Sequence, residues 1–469
     1  MLVRLLTAVL ALAALACGDA QAPAPAPRTP VVWISLDTLR ADHLVPYGYE
    51  RPTSPALARF ARHAVRFDAA HSHASATLPS HLSLLTSLLP PQIGITREGP
   101  DASQATTRLR LPDTATTLAE VLRDHGYRTA AFTDGGYVHP FYGMGQGFDT
   151  FQVTSPQEGA YRNGFRKSLR RAADWLGQTP LAEPPPFLFL HTYDVHEPYS
   201  PPAPFDRAFT DVDYPGFREA RGFEARPALL SRRRAELSEE DVALARGFYD
   251  NGILATDKAL GNFLLLLRKR ELFDDALIVV FSDHGEEFLD HGDFGHGPSV
   301  YQELARVPLL VKLPGQVGGG RVVERPVGLV DLAPTVLALL GLPVPESFVG
   351  ADLSGVLLGT DDGAFLEERP IYVDVPDVTA RVAALRRGSW KLVRRGDVRE
   401  LYDLASDPRE QRDLSAREPE RTAAMAEELV RWTAELEASG RAGGSWATPA
   451  DEPHPAHQQE ALRALGYLE

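Results

Sequence analysis

Four short apolar runs along the chain each stop at polar side chains. The runs are Val31 to Leu36, Thr129 to Thr133, Phe187 to Leu190 and Ala276 to Ser282, and the polar residues that follow them are Asp37, Asp134, His191, Asp283 and His284. Short apolar runs of this kind are typical of strands buried on both faces of a parallel sheet. The pattern therefore predicts a buried parallel sheet.

Helical patterns alternate with these runs. One covers Thr117 to His125 and is closed by Gly126, and another covers Ser238 to Leu272, opened by a capping-type run of Ser, Glu and Asp. Alternating strands and helices predict an α/β fold with a doubly wound, mainly parallel sheet flanked by helices. Ligands of such sheets bind beyond the carboxyl ends of the strands, which is where the polar residues fall.

The pattern changes after about residue 365, where short strands separated by turns replace the alternation. The strand candidates are Pro370 to Val375, Val382 to Leu385 and Trp390 to Val393, and a helix pattern follows from Pro419 to Glu437. These elements predict a small C-terminal α+β subdomain over residues 365–437, after a catalytic domain over 31–360. Residues 438–469 are expected to form a loose linker to Ala456 and a short helix from His457 to Leu468, with no catalytic role.

The first residues are typical of a secretion signal. Arg4 precedes an apolar run from Leu5 to Ala16, which is too short to span a bilayer, and Cys17 follows as the only cysteine. The small residues before Cys17 resemble a bacterial lipoprotein cleavage site, so we expect residues 1–17 to be a signal peptide and Cys17 to be lipidated. Ordinary signal cleavage after Ala22 is the alternative.

Export to a bacterial cell envelope follows from this interpretation. Residues 18–30, rich in Ala and Pro, would be an extended linker between the lipid anchor and the catalytic domain. The anchor would be the only contact with a membrane, and the protein would face the periplasm or the exterior. After processing, no cysteine remains for disulfide or thiolate chemistry.

The chain carries a net negative charge, which disfavours some classes of binding partner. It contains 48 Lys and Arg against 63 Asp and Glu, for a net charge of −15. This balance disfavours binding to the phosphates of DNA or RNA. An anionic substrate would have to be captured locally.

One segment suggests a local anion site. Thr77 stands just before a helix pattern in which Pro79 suits the first turn and Leu82 and Leu85 form an apolar face. Backbone amides at such a helix start would face an anion held at the Thr77 hydroxyl. A Thr in this place can also serve only as a helix cap.

Other segments supply carboxylate and imidazole groups. The adjacent Asp283 and His284 form a plausible two-ligand metal element at the end of a strand. A Gly-rich loop downstream carries His291 and His296, and His196 comes from a separate segment. Each of these imidazoles, taken alone, can equally be a surface histidine without a role.

These segments, in their order, resemble the sulfatase branch of the alkaline phosphatase superfamily over most of residues 31–415. The matching segments are Asp37 after the first strand, Thr77-Leu78-Pro79-Ser80-His81, His196-Glu197-Pro198, Ser282-Asp283-His284-Gly285, Val330 to Thr335 and Gly388 to Leu392. The resemblance implies an alkaline-phosphatase-like fold, a divalent metal and hydrolysis of an ester.

The sequence departs from that family at the nucleophile. The family uses a formylglycine made from Cys or Ser in a Cys/Ser-x-Pro-x-Arg motif, whereas Thr77 and His81 stand at the two ends here. Formylglycine is not expected, because Thr cannot be oxidised to that aldehyde. Thr38 replaces a second Asp of the family, and His284 replaces an Asn. An imidazole ligand favours zinc or manganese, with calcium as the alternative.

The variant is more similar to the Thr-nucleophile members of the superfamily, the phosphodiesterase-type and phosphoethanolamine-transferring enzymes. That resemblance implies one divalent metal held by Asp37, Thr77, Asp283 and His284, with Thr77 as nucleophile. His196 and His296 would act in catalysis and, together with His81, would bind the substrate.

The predicted function is metal-dependent hydrolysis of a phosphate, phosphonate or sulfate ester, either small or linked to a glycan or lipid. Three alternatives remain: an arylsulfatase-type sulfuric ester hydrolase, a phosphoethanolamine-type transferase, and an inactive binding lipoprotein.

Overall fold

The computed structural model describes residues 29–94, 109–158, 163–178, 184–210, 237–375, 381–444, 447–449, 453–465 and 467. The signal peptide, Cys17 and the linker up to residue 28 lie outside these residues, and the lipid anchor stays a prediction. Across the described residues, each helix is too short or too polar to cross a bilayer.

The strands of the described chain group into one large sheet and three smaller ones. They are β1 (Val31–Leu36), β2 (Val65–His71), β3 (Leu109–Arg110), β4 (Arg128–Thr133), β5 (Thr150–Val153), β6 (Pro186–Thr192), β7 (Leu277–Phe281), β8 (Glu287–Phe288), β9 (Phe294–Gly295), β10 (Arg306–Lys312), β11 (Val322–Val323), β12 (Val327–Gly328), β13 (Ile371–Val375), β14 (Val382–Arg387), β15 (Trp390–Arg395), β16 (Val398–Asp403) and β17 (Thr448–Pro449).

The large sheet has the order β11-β2-β10-β7-β1-β6-β4-β5, with β12 paired to β2. Strands β7, β1, β6, β4 and β5 run parallel, while β10 is antiparallel to both of its neighbours. The four predicted strands are confirmed as β1, β4, β6 and β7, and they are neighbours in the order β7-β1-β6-β4. Their carboxyl ends therefore meet at one edge of the sheet.

The helices surround this sheet and the C-terminal unit. They are α1 (Pro55–Ala61), α2 (Thr77–Thr86), α3 (Pro90–Ile93), α4 (Leu118–Asp124), α5 (Gly164–Leu176), α6 (Glu239–Lys269), α7 (Leu272–Asp275), α8 (Gln302–Ala305), α9 (Leu332–Leu339), α10 (Ser354–Leu358), α11 (Phe365–Glu368), α12 (Pro419–Ala442) and α13 (Ala456–Ala464). Helices α4 and α6 begin at capping boxes of Thr117 and Ser238, as the sequence indicates.

Strand β1 shows why helices cover both faces of the sheet. Successive side chains of a strand point to opposite faces. Val31 and Trp33 belong to a core that includes residues of α2, α4 and α9, whereas Val32 and Ile34 belong to a second core with α1, α5 and α6. The predicted doubly wound α/β fold is confirmed.

The C-terminal unit is an antiparallel sheet, β13-β14-β15-β16, covered by α12. Asp374 of β13 donates its backbone N–H to the carbonyl of His73 at 2.9 Å, which joins this sheet to the loop before α2. Helix α12 continues to Ala442, and Thr448–Pro449 pairs with β3. The expectation that a loose linker begins at Ala438 is therefore wrong, because residues up to Ala442 are helical.

Candidate active site

Adjacent strands β1 and β7 deliver the two predicted metal-binding carboxylates. Asp37 follows β1, and its backbone N–H donates to the carbonyl of Thr192 at the end of β6 (3.1 Å). Thr38 then adopts left-handed backbone with φ of 57°, which a β-branched residue rarely does. In this conformation the Thr38 N–H donates to Asp283 Oδ1 at 3.3 Å. The strained turn thus ties the two strand ends together.

The turn after β7 is fixed by hydrogen bonds of Ser282 and by close packing at Gly285. Ser282 Oγ accepts from the Leu39 N–H (2.8 Å) and donates to the His284 carbonyl (2.7 Å). A Cβ at Gly285 would lie 1.8 Å from the Glu303 carbonyl oxygen, so this close backbone approach requires glycine. The packing fixes the direction in which Asp283 and His284 point.

Thr77 is the first residue of α2, one position further into the helix than the sequence indicates. All ten residues of α2 are buried. Thr77 Oγ1 lies 3.3 Å from His284 Nε2. Ser80 donates its hydroxyl to the Asp283 carbonyl at 2.7 Å, which fixes the start of the helix against the β7 turn. The helix start and the strand ends therefore converge on one point.

His81 differs from its predicted role in substrate binding. Its side chain is fully buried, with Nδ1 2.9 Å from the Thr77 carbonyl oxygen and Nε2 2.9 Å from Ser35 Oγ. Both ring nitrogens are engaged by the protein. In this structure His81 positions α2 and does not face a substrate.

Asp37, Asp283 and His284 fit a divalent cation. One ligand atom from each lies within 4.8 Å of the others. Asp37 Oδ1 and Asp283 Oδ2 are buried and lack a hydrogen-bond partner among the described residues. His284 Nδ1 donates to the Gly285 carbonyl at 2.9 Å, which leaves the Nε2 lone pair for a metal. Two carboxylates and an imidazole suit zinc or manganese.

The negative charges of Asp37 and Asp283 also favour a bound cation. Burial and the neighbouring carboxylate of Asp283 raise the pKa of Asp37 well above its usual range. Two buried carboxylates in one place repel each other unless a positive charge compensates them. A divalent ion would supply that charge.

His191 is a further residue of the cluster. It lies within β6 rather than after it, opposite Ser35 of β1. Its Nε2 is 3.1 Å from Asp37 Oδ2. The sequence places His191 at the sheet edge but gives no sign that it contacts Asp37.

The imidazoles of His196 and His296 lie beside the cation cluster. Their ring centroids are 4.7 Å apart, and the His296 ring is also 4.7 Å from that of His284. Glu286 Oε1 holds Nδ1 of His296 at 2.9 Å, whereas His196 Nδ1 donates to the Glu197 carbonyl. Both Nε2 atoms remain directed into the site.

A tyrosine from the C-terminal segment completes this group. Tyr467 Oη lies 2.8 Å from His196 Nε2 and 2.9 Å from His296 Nε2. The sequence predicts no catalytic role for residues 438–469, and it does not indicate that Tyr467 contacts the two histidines. Its distance along the chain from both histidines explains why no local pattern indicates it.

Glu287, His291 and Glu303 form a second group with metal-like spacing. His291 Nδ1 is 2.6 Å from Glu303 Oε1, and Nε2 is 3.0 Å from the Glu410 carbonyl oxygen. An imidazole that donates from both nitrogens has no lone pair for a metal. Although burial opposes it, the hydrogen bond and charge of Glu303 raise the pKa of His291 to about 9. This group is an ion pair that anchors the His291–His296 loop.

Asp42 and Asp290 are two further carboxylates that could be considered as ligands of a second metal. Arg40 contacts both carboxylates at 2.8 Å. Their charge is therefore already compensated by the protein.

Comparison with known proteins matches the chain to one family. A family model described as Sulfatase matches residues 29–342. The chain belongs to the sulfatase family. A second model, described as N-sulphoglucosamine sulphohydrolase, C-terminal, matches residues 290–437 of the same chain. The resemblance seen in the sequence is thereby confirmed, and the chain is a member of a family of ester hydrolases that generally bind a divalent metal.

Relatives of this sulfatase-family chain include arylsulfatase K of Bos taurus, which is 24% identical over 360 residues. That match covers 67% of this chain and 66% of the relative, so the chain spans about two thirds of the relative's length. Among solved structures, a phosphonate monoester hydrolase of Agrobacterium radiobacter is similar with a TM-score of 0.69 and 24% identity, covering 88% of this chain and 96% of the other.

A third similar protein is known in complex with its substrate D-glucosamine-2-N,6-O-disulfate. It has a TM-score of 0.69 and 20% identity, and the match covers 91% of this chain and all of that chain. At these identities the two structures establish the shared sulfatase fold.

Replacement of His191 tests the metal cluster. We expect His191→Leu to lower the affinity for Mn²⁺ or Zn²⁺ by about 10- to 100-fold, because Asp37 loses the partner that orients its carboxylate. Equilibrium dialysis of the metal-free protein measures the affinity. His63→Leu removes a partly buried imidazole bonded to Gln316 and serves as the control. Equal affinities for His191→Leu and the wild type would contradict the assignment.

The ion pair of His291 predicts a pH dependence of stability. A histidine whose pKa is higher in the folded than in the unfolded state stabilises the fold fully below about pH 6.5, and that contribution is lost as the pH rises through the folded value. Relative to His291→Gln, the wild type should therefore lose about 1 to 3 kcal/mol of unfolding free energy between these limits. Urea unfolding across the pH range measures it, and parallel curves would refute the ion pair.

Proposed function

We propose that this chain hydrolyses a phosphate or phosphonate ester through attack by Thr77 Oγ1, with a divalent cation held by Asp37, Asp283 and His284. The observation that carries the proposal is the position of Thr77 Oγ1, 3.3 Å from the His284 nitrogen that completes the cation cluster. A cation bound there would lower the pKa of the Thr77 hydroxyl and neutralise charge on the ester oxygens.

The chain's own residues supply the remaining steps. As its hydroxyl proton passes to solvent, Thr77 Oγ1 forms a bond to phosphorus or sulfur while the bond to the leaving alcohol oxygen breaks. Water later hydrolyses the covalent adduct, which releases the inorganic anion and returns a proton to Thr77 Oγ1. The amides at the start of α2 face the anionic oxygens. The Nε2 atoms of His196 and His296, which face one common position in the structure, would contact the ester group.

His196 and His296 differ in whether their Nε2 atoms can donate a proton to the leaving group. His196 Nδ1 donates to the Glu197 carbonyl, and burial together with the charge of His296 lowers the pKa of His196 well below its usual range. A neutral His196 therefore presents a lone pair at Nε2. His296, oriented through Nδ1 by Glu286, is the better placed of the two to protonate the leaving oxygen.

A sulfate ester is the second candidate substrate. Its support is the similarity of the chain to arylsulfatase K and to the structure solved with a sulfated glucosamine. The phosphate or phosphonate ester is favoured by Thr77 in place of the Cys or Ser that is converted to formylglycine, and by the similarity in fold to a phosphonate monoester hydrolase. A phosphoethanolamine-type transferase and an inactive binding protein are the remaining alternatives.

Removal of the proposed nucleophile tests the mechanism. We expect Thr77→Ala to lower kcat by at least about a thousandfold with unchanged thermal unfolding, and Thr77→Ser to retain part of the activity. Thr86→Ala removes a second buried hydroxyl at the other end of α2 and should keep full activity. A Thr77→Ala variant as active as the wild type would contradict nucleophilic attack by Thr77.

A substrate panel tests the class of ester. Residues 18–469 are purified without metal, zinc, manganese or calcium is added, and turnover of aryl phosphate, phosphodiester, phosphonate and sulfate esters is measured. We expect phosphate or phosphonate cleavage with zinc or manganese, since an imidazole is among the ligands. Sulfate cleavage without phosphate activity would reverse the order of the two candidates, and no turnover of any ester would refute hydrolysis.

A further inference from the structure

Helix α13 and the residue Leu465 that follows it dock beside the site through a small apolar contact. Ala461 and Leu465 of the segment pack against Tyr193, which follows β6. Gly136 makes room for them, since a Cβ there would lie 2.6 Å from Tyr193 Cε2 and 2.7 Å from Leu465 Cδ1. The Tyr467 N–H donates to the Leu462 carbonyl at 2.9 Å. The backbone of Tyr467 is thereby fixed at the mouth of the site.

The Tyr467 hydroxyl occupies a position between two site histidines. Its oxygen is within 2.9 Å of Nε2 of both His196 and His296, and its ring packs edge-on against Tyr137 at 4.7 Å. A tyrosine with its ordinary pKa of about 10 carries a neutral hydroxyl at pH 7.

We propose that Tyr467 is an internal competitor of the substrate, and that the C-terminal segment must leave the site before an ester can bind. The inference rests on the proposed function, in which the Nε2 atoms of His196 and His296 contact the ester group. Two oxygens hydrogen-bonded to the same pair of nitrogens cannot occupy one position, because non-bonded oxygens approach no closer than about 2.5 Å even when a proton joins them. The ester oxygen and Tyr467 Oη therefore exclude each other.

Helix α13 is short and has few buried contacts with the rest of the protein. Helix α13 has nine residues, a length at which an isolated helix is marginal in water. Among the described residues its fully buried apolar side chains are Ala461, Leu462 and Leu465, and one buried polar side chain, that of Gln458, donates to the Gly136 carbonyl. Elements with few buried apolar contacts open at low free-energy cost. Loss of the segment leaves the cation cluster intact, because Asp37, Asp283 and His284 come from the large sheet.

Two substitutions weaken the competitor at different contacts. Tyr467→Phe removes the hydroxyl and keeps the ring, and Leu465→Ala loosens the docked helix. We expect each to lower KM for an aryl phosphate about three- to tenfold, the size of one or two neutral hydrogen bonds or a weakened apolar contact, without lowering kcat. Tyr402→Phe removes a phenolic hydroxyl bonded to Glu400 in the C-terminal sheet and should leave KM unchanged.

A second readout does not depend on turnover. Hydrogen exchange of the manganese-loaded wild type is measured with and without saturating inorganic phosphate. We expect the amides of α13 to exchange faster when phosphate is bound, because the anion displaces Tyr467. Slower or equal exchange with phosphate bound, or a lower kcat with unchanged KM in Tyr467→Phe, would overturn the proposal. Faster exchange in a protein that hydrolyses no ester would support displacement of Tyr467 while refuting the proposed hydrolysis.

Discussion

Two buried carboxylates that face the same point form the constraint on which the site depends. Asp37 and Asp283 are fully buried, each keeps one oxygen without a hydrogen bond, and their ion-pair partners among the described residues are imidazoles. Burying two like charges is costly unless a cation compensates them. The fold nevertheless holds both in place through a strained turn at Thr38 and close backbone packing at Gly285. Binding of a divalent ion between the two carboxylates would offset the free-energy cost of burying them.

The topology of the sheet explains why these groups meet. Because β7, β1 and β6 are parallel neighbours, residues that follow them arrive at one edge although they are far apart in sequence. Thr77 reaches the same point from α2, whose start is fixed by His81 and Ser80. Where the family has an Arg at the end of its nucleophile motif, this chain has an imidazole turned inward to the helix carbonyl. The substitution puts an imidazole in place of a permanent charge, and that imidazole contacts Ser35 and the Thr77 carbonyl at the start of α2.

The sequence allowed the sheet, its central strands and the capped helices to be predicted, because apolar runs and capping boxes are local patterns. The positions of Asp37 and Asp283 at strand ends were predictable for the same reason, whereas their joint role as metal ligands was implied by the family resemblance. Other contacts had no local signal. The inward orientation of His81 depends on Ser35, the support of Asp37 depends on His191 in the next strand, and Tyr467 meets His196 across 271 positions of sequence. Such contacts are fixed by tertiary packing alone.

The hydroxyl of Tyr467 also bears on which ligands can enter the site. A neutral hydroxyl forms hydrogen bonds about half as strong as those of an ionised oxygen, and it gains little from a nearby cation. An anionic ester would gain both the stronger hydrogen bonds and attraction to the cation, so it outcompetes the tyrosine. Water or a neutral alcohol gains neither and does not. A segment closed by Tyr467 would therefore exclude water and alcohols from Thr77 while it admits charged esters. By the same preference Tyr467 would return only after the covalent adduct has been hydrolysed and the anionic product has left.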